Sequence, residues 1–146
     1  MQRQGKVICG LALVAACLAA NIWRAPAQEQ PKADAQIERG AYLVTEVARC
    51  GDCHTPRNDK GQLDSTKHLQ GAPTWFTSKI MFKKWHNTAP DITASGVATK
   101  WNEERMVKFL STGVQADMPM PAYRLTVDDA KAVTAYLRSL PGSKKQ

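Results

Sequence analysis

Cys50-Gly51-Asp52-Cys53-His54 constrains this chain more than any other stretch: two thiols stand two residues apart, and a histidine follows the second directly. That spacing is the attachment site of a c-type haem. On one tight turn or helix start, each thiol can form a thioether to one vinyl group while the adjacent imidazole reaches the iron. The fold must then enclose a covalent prosthetic group with histidine as a ligand.

A CxxC pair also serves redox dithiols and zinc sites. The first needs a βαβ context and the second a further ligand pair at suitable spacing. Neither is present. Cys9 and Cys17 lie in an apolar leader, and His68 and His86 are single histidines.

The leader indicates the compartment. Arg3 and Lys6 make a positive start, residues 7–20 carry no charge, and Ala25-Pro26-Ala27 has the small-x-small pattern of a cleavage site. The apolar run is short for a membrane span, which needs about 20 residues, although extension to Trp23 would suit an uncleaved anchor. Val14-Ala15-Ala16-Cys17 resembles a bacterial lipoprotein box, with Cys17 as the lipidated residue, but Leu18-Ala19-Ala20 is unusually apolar for a lipoprotein tether. Cleavage after Ala27 is favoured: residues 1–27 are read as a signal peptide and residues 28–146 as a monohaem domain in the periplasm. Membrane association through lipidation or an anchor is the alternative.

With the leader removed, Cys50 and Cys53 are the remaining cysteines, both used by the haem, so no disulfide framework is proposed. The 119 residues left suit one small domain, whose apolar filling the haem supplements. The leader takes three of the 20 basic residues and none of the 13 acids, leaving a net charge of +4 before the propionates are counted. Such an excess steers association with acidic partners. It does not point to nucleic acid, because the charges are scattered and no recognised binding motif accompanies them. Lys79, Lys83 and Lys84, interleaved with Ile80, Met81, Phe82 and Trp85, form the densest basic-aromatic cluster, which reads equally as a docking surface or a solvated loop.

Gln28 to Ala33 reads as a flexible lead-in. Asp34 is placed to cap a helix over 35–49, with Ile37, Ala41, Val44 and Val47 at helical spacing. Gly40 within it would cost up to ~1 kcal/mol relative to alanine, so it calls for a reason such as close approach of another helix. Residues 55–99 are rich in turn residues, and wrapping around a prosthetic group accounts for so long a loop. Helical periodicity returns over 102–112, where Met106, Val107, Phe109 and Leu110 make an apolar face and Gly113 suits the helix end. In the last helix Thr126 and Asp129 resemble a capping box, Ala130, Val133, Leu137 and Leu140 share a stripe, and Pro141-Gly142 stop it. No strand alternation is apparent.

Between these two helices lies Asp117-Met118-Pro119-Met120-Pro121-Ala122-Tyr123. A thioether is a soft, neutral ligand that suits haem iron. Flanking prolines restrict the backbone and can hold a sulfur there without a long scaffold. Met120 is the expected sixth ligand and Met118 the runner-up, while Met81 and Met106 are expected to fill the core.

Taken together, these features make the chain resemble class I cytochromes c: Cys50 to His54 match the proximal side, and Met120-Pro121-Ala122-Tyr123 is like the Met-Pro-Ala-aromatic loop of small soluble members. The resemblance implies an all-α fold in which the N- and C-terminal helices cross and long loops enclose one covalent haem c. The chain is also similar to the cytochrome subunits of bacterial periplasmic or membrane-bound dehydrogenases for alcohols, aldehydes and gluconate. Arg39-Gly40-Ala41-Tyr42-Leu43-Val44, Cys53-His54-Thr55-Pro56-Arg57, Ala89-Pro90-Asp91-Ile92-Thr93, Trp101 and Ala135-Tyr136-Leu137-Arg138-Ser139-Leu140 carry that likeness. Asp91 departs from it, standing where the group commonly has asparagine. So does the single haem motif, since those subunits often carry three. The resemblance further implies that Arg57 and the Trp101 indole hydrogen-bond the propionates, and that His54 donates its other ring N–H to a backbone carbonyl, for which Pro73 is the candidate.

The expected function is one-electron transfer by a His/Met-ligated haem, from a periplasmic dehydrogenase toward the respiratory chain through an oxidase or another cytochrome. No independent catalytic set stands out, so the chain reads as an electron-transfer protein and not an enzyme. Two alternatives stay open: a fixed electron-transfer subunit of a dehydrogenase complex, and a haem-based gas sensor or enzyme with an open sixth site.

Overall fold

The computed structural model describes residues 29–81, 84–113 and 117–142. The chain divides into two compact units, Met1–Lys32 and Ala33–Gln146. The leader features, from Arg3 to the site at Ala27, lie outside the described residues, as do Phe82 and Lys83.

The first helix, α1, spans Glu29–Tyr42 and continues as a π-helical turn, Leu43–Val47. It is present from Glu29, so residues 29–33 are not a flexible lead-in and Asp34 lies inside the helix instead of capping it. Glu, Gln, Lys and Ala, which dominate residues 29–36, are all strong helix formers, and Pro31 sits early enough that its missing N–H matters little. The far end comes close to expectation. Arg49 adopts a left-handed φ of 49° and the Cys50 N–H reaches back 3.0 Å to the Val44 carbonyl, turning the chain into the cysteine motif.

That motif lies on a short helix, α2, Gly51–His54. The long middle segment is mostly irregular, with a 3₁₀ turn at Ser65–Lys67. Its ordered part is a minimal antiparallel ribbon, β1 (Ala72–Pro73) and β2 (Thr88–Ala89), in the register Ala72↔Ala89 and Pro73↔Thr88. Two-residue strands are too short to show alternation in sequence, which explains why none was apparent.

Helix α3 spans Val97–Lys100, and α4 spans Glu103–Ser111. Asn102 caps α4, its Oδ1 accepting from the Arg105 N–H at 2.9 Å, and Gly113 follows the C-cap with a φ of 71° that favours glycine. Helix α5, Val127–Ser139, is capped by Thr126, whose hydroxyl accepts from the Asp129 N–H at 3.1 Å.

Met106 and Leu110 of α4 pack in the core with Ala130, Val133 and Leu137 of α5 and with Leu43 and Val44 of the π turn. Met106 thus fills the core as expected. Met81 does not: it is fully exposed, in a segment with no helical periodicity to turn it inward.

Gly40 has the predicted reason. A Cβ there would be driven into the Ala132 carbonyl of α5 and would lie 2.7 Å from the Tyr136 Cβ. Beside that contact, Arg39 Nε donates to Asp129 Oδ1 at 2.9 Å, tying α1 to the N-terminus of α5.

Gly40→Ala should lower stability by about 2 kcal/mol, overpacking outweighing the gain in helix propensity. Thermal unfolding checks this, and an unchanged midpoint would mean that the helices part without penalty. The hydrogen bond from Arg39 holds the Asp129 carboxyl below its ordinary 3.8. A depressed folded value stabilises the fold above that ordinary value, and the contribution is lost as pH falls through 3.8 toward the folded value. Asp129→Asn should therefore lose less of its urea midpoint than the unmutated protein between about pH 6 and about pH 3. An equal loss in both proteins would assign the acid sensitivity to other groups.

Candidate functional site

Helix α2 brings together what the sequence motif lists in a line. The Cys53 and His54 N–H groups both point back to the Cys50 carbonyl, at 3.3 and 2.9 Å, and the Thr55 N–H reaches the Gly51 carbonyl at 3.0 Å. Residues three and four apart share one side of such a turn, so Cys50, Cys53 and His54 face the same way. Both cysteines are free and half-buried. Burial pushes the Cys50 thiol up to about 11 and raises Cys53 as well, with Asp52 adding to the latter. A redox dithiol needs the opposite, a thiol shifted down toward neutral. Among the described residues there is no group of three or more His, Cys, Asp or Glu side chains placed to hold a metal ion.

His54 is buried, 6% exposed, and its Nδ1 lies 2.8 Å from the Pro90 carbonyl. A carbonyl only accepts, so Nδ1 carries the proton and Nε2 keeps its lone pair for a metal. Burial lowers the His54 pKa from 6.5, only partly opposed by the Pro90 contact, and so favours the neutral, ligating form. The expected carbonyl partner exists, but it is Pro90 and not Pro73. The ribbon register explains the exchange: Pro73 is exposed on β1, whereas β2 ends at Ala89 and delivers the next residue to the histidine.

Several residues without a role in the sequence reading fix that carbonyl. The Gly71 N–H donates to the His54 carbonyl at 2.8 Å, and Gly71 has a φ of 87°. A Cβ on Gly71 would lie 2.8 Å from the Asp91 N and 3.0 Å from the Ala89 carbonyl, so only glycine lets residue 71, bonded to the end of α2, approach residues 89–91 this closely. Thr55 is buried, and its hydroxyl accepts from the Leu69 N–H at 3.0 Å. Asp91 Oδ1 accepts from the Thr93 N–H at 2.7 Å and from the Thr93 hydroxyl at 2.6 Å, while Oδ2 accepts from Ser95 at 2.5 Å. A carboxylate can accept all three, so the aspartate itself holds this turn together. Gly71 offered a weak signal as a turn residue, and Thr55 offered none beyond its place after the histidine.

Met118 and Met120 are both half-buried, in the segment between α4 and α5. The Met118-Pro119 peptide is cis. Met118 forms a parallel bridge with Trp85, its carbonyl accepting from the His86 N–H at 2.8 Å, and the Met120 N–H lies 3.3 Å from the Asp117 carbonyl. Farther along, the Tyr123 hydroxyl donates to the Ala48 carbonyl at 3.3 Å. That contact brings this part of the methionine segment close to the cysteine turn, and burial, then the nearby Cys50 and Cys53, push Tyr123 up to about 12.

Arg57 is exposed. It donates to the Gly61 carbonyl at 2.8 Å and stacks 5.3 Å over the Trp75 ring, whose indole N–H reaches the Asp52 carbonyl at 3.3 Å. Trp101 is half-buried under Arg105, 4.0 Å from its ring centre, and edge-on to Phe109 at 5.4 Å.

The donor set fits a covalently held haem: two protonated thiols on one face and a neutral imidazole with its outer nitrogen already committed, with Tyr123 of the methionine segment close by. Gly71→Ala should strain the positive-φ backbone by about 1–2 kcal/mol and push Asp91 away, loosening His54. The expected outcome is a lower unfolding midpoint and a smaller fraction of chains carrying haem, read by absorbance. Unchanged values would show that His54 does not depend on this approach.

The sequence matches the family model described as Cytochrome c over residues 37–141. It is 32% identical over 114 residues to the diheme cytochrome c-type protein of Cereibacter sphaeroides, covering 71% of this chain and 35% of that protein. It is 34% identical over 116 residues to the fructose dehydrogenase cytochrome subunit of Gluconobacter japonicus, covering 70% of this chain and 22% of the subunit. Similarity to the alcohol dehydrogenase (quinone) cytochrome c subunit of Gluconacetobacter polyoxogenes is 30% over 140 residues, covering 83% of this chain and 29% of the subunit. The chain thus spans only about a third or less of the length of these relatives.

Proposed function

This chain belongs to the cytochrome c family, and from that premise we propose that it carries single electrons on one covalent haem c. Cys50 and Cys53 hold the haem and His54 is the proximal ligand. Met120 is the distal ligand, with Met118 as the alternative. A haem held there supplies reversible one-electron chemistry without a substrate binding the metal. The observation that carries this reading is the buried imidazole fixed to the Pro90 carbonyl at 2.8 Å on the same turn as both thiols.

The chain's own residues do the rest. His54 stays neutral and oriented, and the Pro90 acceptor raises its basicity as a ligand. The apolar core keeps water from the proximal side, with α1 and α5 crossing at Gly40. Arg57 and Trp101 remain candidates for hydrogen bonds to the propionates. With residues 1–27 acting as an export signal, the protein works in the periplasm. There it takes electrons from a dehydrogenase and passes them to an oxidase or another cytochrome of the respiratory chain, with no catalysis of its own.

A second reading, a fixed subunit of a dehydrogenase complex, is favoured by two observations. Relatives are named as cytochrome subunits of fructose and alcohol dehydrogenases. Trp75, Ile80 and Met81 are also 63%, 66% and 101% exposed, in a stretch of sequence that carries Lys79 and Lys84, and exposed apolar side chains among basic ones suit an acidic partner.

Absorption spectra of the purified oxidised and reduced protein test the ligand set. The weak near-infrared band of sulfur-ligated ferric haem should be present, should vanish in Met120→Ala and should persist in Met118→Ala. Absence of the band in the unmutated protein, with ready carbon monoxide binding on reduction, would replace the carrier by a sensor or enzyme with an open sixth site.

A further inference from the structure

The methionine segment has no helix or strand of its own between Thr112 and Thr126 among the described residues, yet it is held at defined points. A neutral thioether is a weak ligand, so its hold on iron depends on how closely the backbone restrains it. Asp117 opens the turn that carries both methionines, and the Met120 N–H closes that turn on the Asp117 carbonyl at 3.3 Å.

Residues 84–86 grip this turn from outside. His86 Nε2 lies 3.1 Å from Asp117 Oδ2 and Lys84 Nζ lies 3.7 Å from Asp117 Oδ1. The His86 N–H also donates to the Met118 carbonyl at 2.8 Å, within the Trp85↔Met118 bridge. One carboxylate is therefore held by two side chains of the very segment whose backbone pairs with the next residue. Ion pairs this exposed, 60% for His86 and 45% for Asp117, contribute little alone. Placed beside a backbone hydrogen bond they fix the start of the turn, and Tyr123 on Ala48 fixes its far side.

We infer that Asp117, held by His86 and Lys84, is a positioning residue for the axial methionine. Asp117 sets the start of the 117–120 turn, and through it the position of the sulfur. The assignment rests on the His/Met coordination proposed above.

The test uses the full holoprotein and imidazole as a competing ligand for the ferric state, since imidazole binds only where the sulfur has left. In the unmutated protein the near-infrared band should be present. Asp117→Ala and His86→Ala should weaken the band and raise the apparent imidazole affinity about fivefold, the shift expected for loss of one partly exposed charge-assisted contact. His86→Gln, which keeps a donor toward the carboxylate, should stay within about twofold of the unmutated protein. Lys84→Ala, a surface change with little risk to folding, should shift the affinity the same way by a smaller factor. Unchanged band and imidazole affinity in Asp117→Ala and Lys84→Ala would overturn the positioning role while leaving the His/Met reading intact. An unmutated protein without the band would overturn both.

Discussion

The contact between His54 Nδ1 and the Pro90 carbonyl is the interaction on which the rest of the arrangement depends. It joins two segments 36 residues apart and decides which nitrogen of a buried imidazole is available. Loss of that acceptor would leave a neutral ring free to change tautomer and tilt, with desolvation still penalising its charged form. The ribbon, Gly71 and the Asp91 turn serve to place this one oxygen, so a segment that looks like an unstructured loop is the part that positions the site.

A second tier of contacts holds the frame around that centre. Gly40 lets α1 meet α5 at backbone distance, and Arg39 with Asp129 joins them beside it. The left-handed Arg49 then reverses the chain so that Cys50 begins a new helix at the edge of the core. Helix packing and motif geometry are thus linked through a few residues of chain. The exposed apolar residues at 75, 80 and 81 lie outside this frame and are available for contact with another protein.

Much of this was legible in the sequence because the signals were local. The cysteine motif, the Thr126 cap, the stripe on α5 and the demand made by Gly40 each depend on spacing within a few residues, and each appears where that spacing placed it. The N-terminal boundary of α1 did not: a proline and polar residues read as a lead-in, although their neighbours are strong helix formers. The histidine's partner was misassigned for a different reason. Its selection depends on the register of two-residue strands separated by an irregular segment, and nothing in the sequence measures that register. Met81 was misread because hydrophobicity without periodicity does not say which way a side chain faces. Asp117, His86 and Lys84 come together only in three dimensions.

The central claim is that Cys50 and Cys53 carry one haem through two thioethers. The intact mass of the purified protein, produced in cells able to attach haem, tests it most directly, together with the reactivity of its cysteines after unfolding. The account predicts a chain heavier by one haem that resists acid–acetone extraction, with neither Cys50 nor Cys53 open to alkylation. A chain of unmodified mass with both thiols alkylated, or a haem removed by extraction, would contradict it.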